Sequence, residues 1–431
     1  MSRLLGITVM PEWIQCEGIE RVLDNLQIAG ATAVATSPYV MAPSDAPDAG
    51  REPPLDAGAG RVRLLDRDLW GKRELRCVTA PSFVPDPALY QGLRYQPAAP
   101  TDLTQSEGPK VAAFIEAAEA RGLEVHLQVQ AAIPPGYRVQ FGGPRPEDQP
   151  LLPDGRHHEG RVDKNGSLAA PEIQAYLRAL LADLVRHYPT FDAIRLDWPE
   201  YPPYTLESWL FDFSGHALAA ARAKGYDGEA LRAAAQHCLD DPALILKDGL
   251  EPLAALGRFK ADLAVDLLTA AKSVLPRGMK LVAHAFPPPW NRLSGLDYAR
   301  VGRIADDIAV KLYTMHWPMM LEGYLARMGR LDGEGAAAIQ ALFDTGEAPL
   351  EDLRYPEPDE PHPVAAAAQA RKIAEARRQA PRIHAAAHAY GPIDDVMERA
   401  RTAWQAADRR LWLNRYGYLS DAKLKALAGL D

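Results

Sequence analysis

Cysteine is scarce, with only Cys16, Cys77 and Cys238 in 431 residues. An odd count spread this widely makes no disulfide framework, and the spacing fits no zinc site. A reducing compartment is expected, with the cytoplasm as the default. Lysine and arginine form no run, and the formal net charge is −9. That argues against a nucleic-acid partner. No apolar stretch is long enough to span a membrane, and the first residues lack the apolar core of a signal peptide. No glycine-rich phosphate loop follows the first apolar run, which weakens the case for an open doubly wound sheet. No cofactor or metal is expected.

The rest of the composition is ordinary for a globular protein, with 47% hydrophobic and 24% charged residues. Short apolar runs alternate with amphipathic helical stretches, the pattern of repeated βα units. Eight strands are expected: Leu4–Met10, Thr32–Ser37, Glu124–Gln130, Ala193–Asp197, Lys280–Ala285, Ile308–Tyr313, Arg382–His388 and Arg410–Asn414. Helical patterns lie between them, among them Glu17–Ile28, Pro171–His187 and Leu253–Val274. The fold expected is an α/β (β/α)₈ TIM barrel with long βα-loop insertions, one domain over residues 1–431. The insertions fall at about 38–107, 131–168, 226–252 and 330–362. The first two leave the C-terminal ends of strands, the catalytic face of such a barrel, and loops of that length are usually lids or binding walls. Tyr39 and Trp70 are the expected cleft contacts of the first. The face of the last two is not set by the sequence.

One stretch stands out, from Phe191 to Tyr204. A strand buried on both faces should be nearly all apolar. Here Arg195 and Asp197 share one face, two residues apart, at the strand's C-terminal end. A buried charge there is costly unless it is paired or does chemistry. The plainer reading is a structural Arg–Asp ion pair.

Alternation adds a second signal. The barrel-facing positions carry His126, Gln128 and Gln130, Lys311 and Tyr313, His384 and His388, Trp412 and Asn414, and Thr8, Met10 and Glu12. A purely structural interior would use Val, Ile and Leu. Converging polar groups suggest a pocket for a ligand rich in hydroxyls. His126 and His384 sit early in their strands and read as satisfied interior histidines. Lys311 and His388 sit nearer the ends and read as functional. Trp13, Trp198, Trp290 and Trp317 lie just beyond strand ends, where one tryptophan would be core and four suggest flat platforms for sugar rings.

The segments Lys164-Asn165-Gly166-Ser167, Ala170–Leu177, Asp192–Pro202 and Phe211–His216 resemble the hypothetical-glycosyl-hydrolase and glycosidase-like barrel families. Those families have a strand ending in Asp-Gly-aliphatic-x-aliphatic-Asp-aromatic-x-x-Tyr-Pro, and here Ala193 replaces the glycine. The strand is also similar to that of α-amylase-type enzymes, where an Arg two residues before the Asp contacts the nucleophile. The resemblance covers roughly residues 160–216. It implies a (β/α)₈ fold and a glycosidic substrate, with Asp197 as the catalytic carboxylate of the fourth strand.

Glycosidases ordinarily use two carboxylates. The last four strands end instead in His284, Tyr313, His388 and Asn414. The available partners are Glu200 and Glu12, with Glu159 and Asp163 in a loop. The reading is therefore a glycoside hydrolase acting on an oligosaccharide or glycoside. Asp197 is nucleophile or base, kept ionised by Arg195. Glu200 is the first choice of acid and Glu12 the second. Arg195, Trp198, Tyr39, Gln130, His284, Trp290, Lys311, Tyr313, His388 and Asn414 are the expected substrate contacts. Two alternatives stay open: a metal-assisted hydrolase or lyase with Asp197, His284 and His388 as ligands, and a non-catalytic carbohydrate-binding barrel. Partners expected are a carbohydrate substrate, no nucleic acid and no membrane, with self-association left open.

Overall fold

Eight parallel strands close into a ring in a computed structural model that describes residues 3–47, 49–54, 63–137, 142–161 and 163–430. In chain order the strands are β1 (Leu4–Thr8), β2 (Ala33–Thr36), β3 (Tyr39–Pro43), β4 (Gly50–Glu52), β5 (Leu75–Pro81), β6 (Glu124–Gln130), β7 (Ala193–Asp197), β8 (Lys280–Ala285), β9 (Asp307–Leu312), β10 (Ile383–His388) and β11 (Arg410–Asn414). The ring runs β1-β11-β10-β9-β8-β7-β6-β2, and β3-β5-β4 form a separate antiparallel sheet. This is a (β/α)₈ barrel. All eight expected barrel strands are present, with ends shifted by no more than two residues.

The helix Pro171–His187 shows why the surrounding layer forms. Ile173, Tyr176, Leu177, Leu180, Leu181 and Leu184 recur at spacings of three and four and are all buried. Each such side chain contributes about 1.5–3 kcal/mol on burial. Pro171 opens the first turn, and Tyr188, which precedes Pro189, leaves the helical region. One helix differs from the sequence reading. Instead of a single helix from Glu17, there are two, Pro11–Glu17 and Ile19–Ile28, separated by Gly18 at φ 84°. A positive φ there suits glycine alone among common residues. β1 stops at Thr8, so Glu12 lies in the first turn of a helix rather than at a strand end.

The barrel axis is charged at its N-terminal end. Glu124 Oε1 accepts from Lys280 Nζ at 2.7 Å and lies 2.8 Å from His126 Nε2. Asp307 Oδ1 is 3.1 Å from both His384 Nε2 and Arg410 Nη2. His126 and His384 are thus paired inside the barrel. Above them Trp412 fills the axis, with its Nε1 3.3 Å from His384 Nδ1. Gly6 makes room for it, since a Cβ at that position would lie 2.3 Å from the indole.

The insertions collect at the C-terminal mouth. In the first, the Tyr39 hydroxyl donates to Glu12 Oε2 at 3.0 Å, and Arg63 Nη1 lies 2.8 Å from His388 Nε2. Arg67 anchors it, bonding Glu17 and Asp421 at 2.7 Å each. Residues 55–62 of this insertion and 138–141 of the second lie outside the described residues. The 330–362 insertion joins the same rim: Pro356 O accepts from the Tyr390 hydroxyl at 3.0 Å, and His362 Nδ1 lies 2.7 Å from Thr314 Oγ1. Residues 226–252 carry the helices Gly228–Asp240 and Leu244–Asp248, and Arg232 ties the first of these to Pro153 O at 3.0 Å.

Candidate active site

β7 delivers Asp197 to the mouth with 19% of its side chain exposed. Its Oδ1 is held three ways, by Lys311 Nζ at 2.8 Å, His284 Nδ1 at 3.3 Å and the Trp198 amide at 3.1 Å. Oδ2 makes no hydrogen bond among the described residues. Burial by itself would raise the carboxyl pKa. The Lys311 ammonium, helped by His284, overrides burial and holds it well below the usual carboxylate range. The carboxylate is therefore ionised, with one oxygen fixed and the other available.

Trp198 sits at φ 52°, a left-handed conformation that is strained for a tryptophan. Asn165 holds this turn, its Nδ2 donating to Trp198 O at 2.9 Å and to Glu200 O at 2.6 Å. Asn165 belongs to a segment that carries the family resemblance, but nothing in its local sequence signals this role. Its amide braces the loop that carries the catalytic-end residues.

The cation beside Asp197 is Lys311, and Arg195 is not in contact with it. The Arg195 guanidinium lies over the Trp412 ring, 3.5 Å from its centroid, with Nη2 3.4 Å from His126 Nδ1. Burial lowers its pKa to about 9. The reason is geometric. Residues two apart on a strand lie in successive layers of the barrel, about 6.6 Å apart. The group that reaches Asp197 comes from the same layer of β9. The structural Arg195–Asp197 pair and the α-amylase-like contact are both absent.

Glu200 is enclosed. It has no exposure; Oε1 accepts from the Phe286 amide at 3.0 Å and Oε2 from the Ser294 hydroxyl at 2.5 Å. It ties the loop after β7 to the loop after β8. Burial raises its pKa to about 7, against the pull of Lys311, Ser294 and the Phe286 amide. Glu12 is also without exposure, beside the Tyr39 hydroxyl. Tyr39 is itself fully buried, so it contacts Glu12 rather than open cleft. Asp163 braces Arg161 and the Asn165 amide, and Glu159 is exposed.

Trp290 does not face a substrate. It is fully buried, 4.7 Å from Phe343 and 5.3 Å from Trp317 between ring centroids, with Lys372 Nζ 5.0 Å from its ring. Trp13 and Trp317 are core as well. The loops after the strands fold back onto the helices and carry these rings inward. Trp198 alone of the four stands at the mouth, 5.8 Å from the Tyr204 ring. The Trp70 amide donates to Cys16 Sγ at 3.2 Å, and Arg63 and Glu52 of that insertion reach His388 and Arg415 at the strand ends.

Of the remaining expected contacts, Gln130 and His284 lie beside Asp197, while Tyr313, His388 and Asn414 group with one another. Gln130 is in register with Asp197, and its Oε1 has no hydrogen-bond partner among the described residues. Burial lowers the His284 pKa to about 4, against the pull of Asp197. Half-buried Tyr313 lies 5.3 Å from the His388 ring, and half-buried Asn414 is in register with His388. His388 is not beside Asp197 and His284. It faces Arg63 and the Tyr390 amide, so the three expected metal ligands do not converge. Among the described residues no group of three or more His, Cys, Asp or Glu side chains forms a metal-binding cluster.

No protein-family description and no curated protein sequence matches this chain. Solved structures do. A β-galactosidase from the psychrophilic Marinomonas ef1 superimposes with a TM-score of 0.53 at 13% identity, over 96% of this chain and 54% of that one. The catalytic domain of a β-amylase from Paenibacillus polymyxa gives 0.51 at 11% identity, over 98% and 94%. This chain thus spans about half the length of the galactosidase and nearly all of the amylase domain. At these identities the likeness shows the fold, a TIM barrel shared with glycoside hydrolases. No helix of the described residues is long and apolar enough to cross a membrane.

Proposed function

We propose that this protein is a glycoside hydrolase with Asp197 as its nucleophile or base. The observation that carries the reading is the asymmetric Asp197 carboxylate. Oδ1 is fixed by Lys311, His284 and the Trp198 amide, and Oδ2 is left for an incoming carbon or water. A carboxylate at the C-terminal end of a barrel strand, held ionised and partly exposed, is what glycosidic cleavage requires. Gln130, in register with Asp197, and Tyr313, which feels its charge, supply hydroxyl-binding groups.

For the proton donor the reading keeps Glu200 first, because burial holds it protonated near neutrality while Asp197 is ionised. Its enclosure counts the other way, since a donor must meet the leaving oxygen. Glu12 is the second choice. A metal-assisted reaction finds no support in the ligand geometry, since His388 contacts Arg63 and the Tyr390 amide and forms no cluster with Asp197 and His284 among the described residues.

The test is a panel of aryl glycosides assayed with the wild type and with Asp197→Asn. Turnover of at least one substrate, falling by about 10⁴-fold in the folded variant, is expected. Wild-type-like rates in Asp197→Asn would remove Asp197 from the chemistry. Binding of sugars without any turnover would make this a carbohydrate-binding barrel.

A further inference from the structure

Gln128 lies on β6 one barrel layer below the mouth, in register with Arg195, as Gln130 above it is in register with Asp197. Along the strand that layer is about 6.6 Å deep. Gln128 nevertheless keeps 7% of its surface exposed, the same as Gln130 at the strand end. The exposure does not come from below. His126, the next barrel-facing residue down β6, has none. The cleft at the N-terminal face is lined by Glu124, Lys280, Asp307 and Arg410 among others, without Gln128. Arg195 and Trp412 are each 1% exposed, with the guanidinium 3.5 Å from the centroid of the indole. His126 completes this plug, its ring 4.7 Å from Trp412. The mouth therefore continues downward past Asp197 and ends on the Arg195–Trp412 pair, a pocket with one opening.

Its wall is polar and unpartnered. Gln128 Oε1, Gln130 Oε1 and His284 Nε2 are buried with no hydrogen-bond partner among the described residues. His284 Nδ1 faces the ionised Asp197 Oδ1 at 3.3 Å, so it carries the ring proton and Nε2 is a bare acceptor. Buried polar groups left without partners are costly. All three side chains are neutral, which suits hydroxyls rather than a charged substituent. A side-chain amide both donates and accepts, as a sugar hydroxyl does.

We infer that this pocket takes one uncharged sugar from the non-reducing end of the substrate, with Gln128 binding a hydroxyl at its far end, so that the enzyme is exo-acting. The sugar rests on the glycosidase reading, and the depth on the layers of the barrel. An internal residue of a chain is substituted on both sides, and the closed floor gives the second substituent no exit. The buried sugar presents its anomeric carbon upward to Asp197 Oδ2. Its C1–O bond breaks, water supplies a hydroxyl to C1 and a proton to the leaving oxygen, and the rest of the chain departs through the mouth.

The experiment reads binding and product together. Common hexoses and their p-nitrophenyl glycosides, both anomers, identify the sugar taken. The matching pentasaccharide is then supplied with a fluorescent label at its reducing end, either free or capped by a 4,6-O-benzylidene group on its terminal sugar. A labelled tetrasaccharide is expected as the first product, with no cleavage of the capped chain. Early labelled di- and trisaccharides, or cleavage of the capped chain, overturn the inference. By calorimetry the monosaccharide should bind about as tightly as the pentasaccharide; a pentasaccharide bound about tenfold or more tightly marks an open groove and overturns it as well.

Monodeoxy derivatives of the monosaccharide test Gln128. At least one should bind the wild type about tenfold more weakly than the parent, and Gln128→Leu should erase that difference. A merely structural Gln128 would weaken parent and derivative alike. If Gln128→Leu melts far below the wild type, Gln128→Asn replaces it, with a reduced difference expected. An unchanged difference in the folded variant removes Gln128 from the pocket. Monosaccharide binding with this pattern but no turnover leaves the pocket standing and defeats the hydrolase reading, while turnover by internal cuts does the reverse. Neither binding nor turnover with any probe overturns both.

Discussion

Lys311 Nζ on β9 reaches past the intervening strand β8 to lie 2.8 Å from Asp197 Oδ1 on β7. The same ammonium is the largest attractive charge acting on Glu200. It lies 5.0 Å from the Phe286 ring and 5.5 Å from the Trp198 ring, so little water screens it. One lysine thus pulls down the pKa of both acids of the proposed pair, overriding burial at Asp197 and only opposing it at Glu200.

Replacing Lys311 by Met should therefore move both limbs of the pH–rate profile toward alkaline pH, the acid limb by about one unit or more. A purely structural lysine would lower kcat without moving either limb. The profile of kcat/KM on an aryl glycoside, with a melting curve to confirm folding, separates the two.

Glu200→Gln tests proton donation. Glu200 is raised to about 7, so as donor it is protonated below that pH and activity declines above it. The variant should lose this basic limb and slow poor leaving groups far more than activated aryl groups. If Glu12→Gln shows that pattern instead, the donor is Glu12.

Acid should unfold the protein early. Burial lowers the pKa values of His126, His284, His362, His384 and His388 from the ordinary 6.5, the first two to about 4. Their unfolded forms take up protons near pH 6.5 and their folded forms do not. Stability is therefore fully present above that pH and falls as pH drops from about 6.5 toward 4. Glu200, raised in the fold, acts in the opposite sense over part of this range, and five histidines outweigh it. Denaturant midpoints at pH 7.5, 6 and 5 should fall in that order; a flat series would contradict the buried neutral imidazoles.

Gly6→Ala should destabilise the barrel, because the new methyl lies 2.3 Å from the Trp412 ring and the backbone around it is strand. Overpacking of this kind costs about 1–3 kcal/mol. Moving Trp412 would also disturb Arg195, stacked on it. A melting temperature unchanged from wild type would show that the axis can yield.

The sequence alone determined the barrel. Eight apolar runs with helical spacing between them leave few ways to bury every apolar face, and periodicity is a local property of the chain. It also singled out Asp197, because a charge ending an apolar strand is visible without coordinates. Contacts between distant residues were decided only by the tertiary structure. Arg195 is nearest to Asp197 in sequence, yet Lys311, 114 positions further on, is its partner, because barrel layers pair residues across strands. Trp290 follows a strand end as Trp198 does, yet the Trp290 ring packs against Phe343 and Trp317 while the also buried Trp198 lies beside Lys311 and Asp197, because loops choose their own return path. Arg63 meets His388 across 325 positions, and no local pattern in either segment encodes that meeting. Strand identity follows from short-range sterics and hydrophobic spacing. Which charges neutralise one another follows from closure of the barrel, which brings groups from far along the chain within a few ångströms in a medium that screens them poorly.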